Sequence, residues 1–180
     1  MNRPWYQKLF GSTRAPSQET AESKAADGDA DAQFGLGFRY ANRAGKATDY
    51  PQAASWYLKA ANQNHAMAQF NLGIMHSTGQ GMPKDTALAA EWFRKAAMQG
   101  DSGAQHHLGI QQQRASFSGL PAAMVEARIE AYKWFQLAAA GGYKGSAEAH
   151  ELLTQKMTHD DVAIGNQRVT AFTLLHPSTP

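Results

Sequence analysis

The chain has 180 residues, 43% of them apolar, and carries 17 basic against 15 acidic side chains for a formal net charge of +2. That length supports one domain with its own core, and so even a balance argues against a nucleic-acid surface, which gathers Lys and Arg on one face. No cysteine is present, which excludes a disulfide framework, cysteine-ligated zinc and a thiol nucleophile and suits a reducing compartment.

Residues 1–16 read as a flexible leader. Lys8 interrupts the apolar cluster of Trp5, Tyr6, Leu9 and Phe10, so no export signal is read there. No stretch approaches the ~20 apolar residues of a membrane span. Together these point to the cytoplasm. Arg3, Lys8 and Arg14 stand without an acid in residues 1–14. Three readings stay open for this stretch: docking on the folded part or on a partner, contact with a membrane surface, or no fixed structure. Membrane contact is not the expectation.

The folded region is expected over residues 17–173, with a tail at 174–180. Its first piece is half a unit, from about Ser17 to Asp27, with Ala21 in the place that a tryptophan fills further on. Three in-register segments follow: Ala32-Gln33-Phe34-Gly35-Leu36-Gly37, Ala68-Gln69-Phe70-Asn71-Leu72-Gly73 and Ala104-Gln105-His106-His107-Leu108-Gly109, each 36 residues from the last. Each is followed by an aromatic pair and alanines: Trp56-Tyr57 with Ala60-Ala61, Trp92-Phe93 with Ala96-Ala97, Trp134-Phe135 with Ala138-Ala139. A period in the 20–50 residue range marks stacked repeat units. The units run about 29–64, 65–100 and 101–142.

Each unit reads as a pair of helices. In the second of each pair, Ala53, Tyr57 and Ala60, and their counterparts, fall on one face. Asp49 and Asp85 are expected N-caps. Gly37, Gly73 and Gly109 lie inside the first helices at a cost of about 1 kcal/mol against alanine, which predicts close approach of the paired helix. The third unit carries six additional residues between Leu108 and Trp134. They are expected as an irregular insertion within 114–126, or as a lengthened helix starting at Pro121. Capping helices are expected over 146–173, the last beginning at Thr158-His159-Asp160-Asp161.

These motifs resemble the Sel1-like repeat, a relative of the tetratricopeptide repeat. Unit two matches best, through Ala68, Leu72, Gly73, Gly79, Gly81, Asp85, Ala89, Trp92, Phe93, Lys95, Ala96, Ala97 and Gly100. Unit three departs most, with Gln112 at the place of Tyr40. The resemblance is strong over residues 21–142 and weak over 143–173. It implies an all-α fold, an α/α superhelix of antiparallel hairpins, and a role as a binding scaffold.

Candidate chemistry is sparse. The recurring tryptophans are expected in the core, since a unit cannot bury its apolar face alone. His106 and His107 are neighbours pointing about 100° apart and cannot share a metal; His150-Glu151 lacks a second histidine one turn on, where Thr154 stands. Asp27, Asp29 and Asp31 open like a calcium loop, but the glycine and glutamate it needs are Ala32 and Phe38. No phosphate loop, G-x-S-x-G or S-x-x-K occurs. No catalytic residue, metal or cofactor is therefore expected.

The expected function is a scaffold or adaptor that holds a protein or peptide, with no nucleic acid. The alternatives are a self-assembling structural subunit or homo-oligomer and, with less support, a hydrolase of the β-lactamase-like kind that the family resemblance suggests. In helical-hairpin repeats the first helices line the concave face. The residues there that point away from their paired helix are Phe34, Phe38 and Asn42, then Phe70, Ile74 and Thr78, then His106, Ile110, Gln113 and Arg114. These form the expected partner-binding surface.

Overall fold

The computed structural model describes residues 21–42 and 49–177. The leader, residues 17–20 of the half unit, the loop 43–48 and residues 178–180 lie outside the described residues. Within them the chain is helical throughout, with α1 (Ala21–Ala26), α2 (Ala30–Ala41), α3 (Tyr50–Asn62), α4 (Ala66–Thr78), α5 (Thr86–Met98), α6 (Ser102–Ala115), α7 (Pro121–Ala140), α8 (Ser146–Thr154) and α9 (His159–Leu175). From α1 to α8 each helix packs on the next, and α9 returns to lie on α7.

The pairs α2–α3, α4–α5 and α6–α7 are the three units. Their starts follow from side chains that accept a free backbone N–H. Asp29 takes the N–H of Ala32, Asp49 that of Gln52, Asp85 those of Ala87 and Leu88, and Asp101 that of Ala104. His65 fills the corresponding place before α4, its Nδ1 accepting from Ala68 at 3.2 Å. Thr158 and Asp161 form the reciprocal capping box expected of α9.

Inside each unit the two helices touch through the glycine. A Cβ at Gly37, Gly73 or Gly109 would sit 2.6 Å from a ring carbon of Tyr57, Phe93 or Phe135 respectively. The ring must lie flat on bare backbone, which is why glycine is kept there despite its helix cost. The same contact recurs once outside the repeat, where a Cβ at Gly165 of α9 would sit 2.5 Å from a ring carbon of Tyr132. The more deeply buried aromatic of each pair in units one and two is therefore the residue after the tryptophan. Tyr57 and Phe93 are buried, and Trp56 and Trp92 only half-buried. The Lys59 and Lys95 ammonium groups lie 3.9 and 4.0 Å from the centroids of those two tryptophans, a cation–π contact on the outer face. Trp92 still packs on the core cluster of the unit before it. Trp134 is buried because α9 covers it, Phe172 standing edge-on with centroids 5.4 Å apart.

Units are joined by a buried glutamine ladder. Nε2 of Gln33, Gln69 and Gln105 donates to the carbonyls of Ala25, Ala61 and Ala97 in the preceding helix. Buried amides need such partners. The ladder also fixes the register of α1: Ala25, not Ala26, corresponds to Ala61 and Ala97. The left-handed residues Gly28, Asn64 and Gly100 keep the same spacing. Ala21 then corresponds to Tyr57 and Phe93, one place beyond the tryptophan position assigned to it from the sequence.

The six additional residues of unit three lengthen a helix. α7 has 20 residues where α5 has 13, with Pro121 in its first turn, where a missing N–H costs nothing. The loop between α6 and α7 is only residues 116–120. The added turns of α7 carry Glu126, which Arg168 of α9 bridges together with Glu130 one turn further on.

Candidate functional site

The first-helix residues expected to form one continuous surface divide into two kinds. Phe34, Phe70 and His106 fill the junctions between units. Phe34 stacks on the His65 ring, centroids 4.7 Å apart. Phe70 reaches the next unit at Gly103, whose Cβ would stand 3.0 Å from its ring. His106 packs on Tyr143 at 4.9 Å and joins Ser146 through Nδ1 at 2.8 Å. Ile74 and Ile110 are half-buried against core clusters. Phe34, Phe70 and His106 also pack on the buried ring of their own hairpin, on Tyr57 at 5.7 Å, Phe93 at 5.9 Å and Phe135 at 5.5 Å, so each stands between its own pair and the next unit of the stack.

The remaining residues are nearer solvent. Phe38 is 53% exposed. Asn42 and Thr78 bond back to their own helices, Asn42 to the Phe38 carbonyl and Thr78 to that of Ile74. The Gln113 carbonyl accepts from the Ser116 hydroxyl. Phe38 and Asn42 line a groove at the N-terminal end with Leu36, Tyr40 and Trp56. Ile110 and Arg114 line a second groove, about 410 Å³, between units two and three.

This second groove is built from α4, α5 and α6. Ser77 stands at one edge, Thr86, Ala89, Ala90 and Phe93 form one wall, and His107, Ile110, Gln111 and Arg114 the other. The equivalent places one unit earlier are taken by apolar side chains. There Tyr50 and Met75 pack into the core cluster, Met75 only 4% exposed. Thirty-six residues on, Tyr50 becomes Thr86 and Met75 becomes Gln111. Two large side chains are replaced by a short one and a polar one, and the junction stays open. His107 lies flat on Phe93 with centroids 4.6 Å apart. Burial holds its pKa below the usual histidine value, and the neighbouring His106 lowers it further. His107 therefore sits in the wall as a neutral ring.

Sequence reasoning missed His107, Gln111, Ser77 and Thr86 as groove residues. Their signal was present as departures from the repeat, at places whose neighbours a linear alignment does not show. Among the described residues no cluster of His, Asp and Glu has the arrangement to hold a metal, and none of the helices is long and apolar enough to cross a membrane. The His106–Ser146 pair does not form an accessible nucleophile, since Ser146 is wholly buried.

The Sel1 repeat profile matches residues 30–65, 66–101 and 102–143, three consecutive copies over more than half of the chain. The chain belongs to the Sel1 repeat family. Its fold resembles the crystal structure of a Sel1 repeat protein from Oxalobacter formigenes, at 30% identity and a TM-score of 0.58, covering 72% of this chain and 95% of that one. It also resembles c5321, a protective antigen present in uropathogenic Escherichia coli strains and displaying an SLR fold. There the identity is 27% and the TM-score 0.52, over 93% of this chain and 43% of that one. No curated protein matches the chain. Sel1 repeat proteins are generally protein-interaction scaffolds, which is the class the sequence suggested.

Proposed function

We propose that this Sel1 repeat protein is an adaptor that holds a segment of another protein in the groove between units two and three. The observation that supports it is the pair of replacements Tyr50 to Thr86 and Met75 to Gln111, which leave open at this junction a space that the fold fills at the one before. Leaving such a space costs stability, since packed side chains contribute a few kcal/mol each. A ligand that enters it recovers that burial. The groove is apolar along Ala89, Ala90, Phe93 and Ile110, with polar groups at its edges, the usual make-up of a recognition site. The Ser77 hydroxyl at its edge is spent on the Ile74 carbonyl, which favours holding over turnover.

A displayed peptide library selected on the purified protein tests this. Amide shifts on titrating a selected peptide should centre on Ser77, Ala90, Phe93, His107 and Gln111. Shifts centred on Phe38 and Trp56, or on Arg94 of the outer α5 surface, would move the site elsewhere. A failure to select any binder would remove the peptide-holding role.

A further inference from the structure

The position of Arg114 shows what chemistry the groove accepts. Its counterparts one and two units earlier, Thr78 and Asn42, spend their side chains on their own helix carbonyls. The Arg114 guanidinium has no hydrogen bond or ion pair among the described residues. It is the sole charged residue lining the groove, which carries no acid. The acids on the neighbouring stretch of α7 are already engaged, Glu126 by Arg168 and Glu130 by Arg168 and Lys133. No acid in the lining answers the Arg114 charge.

Arg114 stands between two apolar surfaces along the chain. On one side lies the groove wall of Ala89, Ala90, Phe93 and Ile110. On the other, the chain turns directly out of α6, the Phe117 N–H bonding the Arg114 carbonyl at 3.2 Å. This turn presents Phe117 at 72% exposure and Leu120 at 77%. Large apolar side chains so exposed and so close in sequence mark a contact surface. They stand in the loop that leads into the lengthened α7, a feature of unit three that the stacking of repeats does not require.

Resting on the reading of this groove as a peptide site, we infer that its occupant is a segment of a partner protein in which a carboxylate is flanked by apolar side chains. The carboxylate pairs with Arg114, through the two-pronged geometry that guanidinium offers. One apolar neighbour enters the groove over Phe93 and Ile110, and the other lies on Phe117 and Leu120. His107, held neutral, adds no second charge.

The test is the composition of peptides selected on the protein, read together with Arg114→Gln. Enriched peptides should carry Asp or Glu beside Leu, Ile, Val, Met or an aromatic residue. Their affinity should fall about tenfold to a hundredfold in Arg114→Gln, the range for loss of a charged hydrogen-bonding partner, with an unchanged melting temperature. Phe117→Ser should weaken the same peptides without altering their preference for an acid. Groove-binding peptides that lack acids, or that bind Arg114→Gln as well as wild type, would overturn this inference while leaving the peptide site in place. Absence of any groove-binding peptide would overturn both. Light scattering of the free protein covers self-association: a dimer whose formation buries Phe117 and Arg114 would also overturn it.

Discussion

The two internal junctions of this solenoid share a backbone plan and differ in what stands between the helices. At the junction of units one and two, Tyr50 and Met75 close the space, and Met75 belongs to the core. At the junction of units two and three the same places hold Thr86 and Gln111, and a groove of about 410 Å³ remains. The parts that set helix spacing are common to both, namely the glycine–ring contacts and the glutamine ladder. A repeat fold can therefore acquire a site without changing its architecture, by shortening one side chain and making another polar at one junction.

The largest effect is expected from opening the closed junction. Tyr50→Thr with Met75→Gln shortens a half-buried ring and buries an amide without a partner, together about 2–5 kcal/mol, against a total stability of about 5–15 kcal/mol. Thermal melting should show a severe loss. A variant that melts like wild type would mean that Tyr50 and Met75 do not close the junction.

The shared frame gives a control. Gly73→Ala and Gly109→Ala each drive a methyl into a buried ring, which costs about 1–3 kcal/mol, and the two should lose similar amounts because the contact is the same in both units. Gly35 has nothing within 4 Å of its would-be Cβ, so Gly35→Ala should gain about 0.5–1 kcal/mol from helix propensity alone. Unequal losses at Gly73 and Gly109 would show that the frame itself differs between units.

Filling the open junction is a smaller change of opposite sign. Thr86→Tyr with Gln111→Met should stabilise by about 0.5–2 kcal/mol, as cavity-filling changes commonly do, and raise the melting temperature by about 2–4 °C for each kcal/mol.

The smallest expected effect is a difference in acid sensitivity. Unit three carries His106 and His107 where unit two has Phe70 and Asn71. Burial lowers the pKa of both histidines, and of His150 in α8. Each folded-state pKa lies below its unfolded value, so the unfolded chain binds more protons below about pH 6.5 and stability falls as pH drops through that window. The melting temperature should therefore decline between pH 7.5 and 5.5. His106→Phe with Ser146→Ala should flatten part of the decline. A slope untouched by that pair would place the acid sensitivity elsewhere.

Much of the fold was legible because stacking leaves a period. The 36-residue spacing located the helices, the caps and the glycines, and the glycines' close approach followed from their cost. The register of α1 was one residue off because the string Lys24-Ala25-Ala26 imitates the end of a second helix, whereas the hydrogen bond from Gln33 selects Ala25. Trp92 was expected as the core anchor, yet Phe93 holds that place, since the contact with Gly73 decides which aromatic turns inward. The candidate surface was legible only in part. Phe34, Phe70 and His106 lie between the ring of their own hairpin and the next unit, and are half-buried there. Thr86 forms the groove by what it lacks and Gln111 by being polar, and such a replacement has meaning only when the residues around it are known.

The most direct test is the affinity of a groove-selected peptide for the Thr86→Tyr/Gln111→Met variant, measured by fluorescence anisotropy beside its melting temperature. The account predicts binding weakened by more than tenfold, about 1.4 kcal/mol, in a protein that melts at a higher temperature than wild type. Undiminished affinity in the filled, stabilised variant would contradict it, because the partner would then be held somewhere other than the junction that the repeat leaves open.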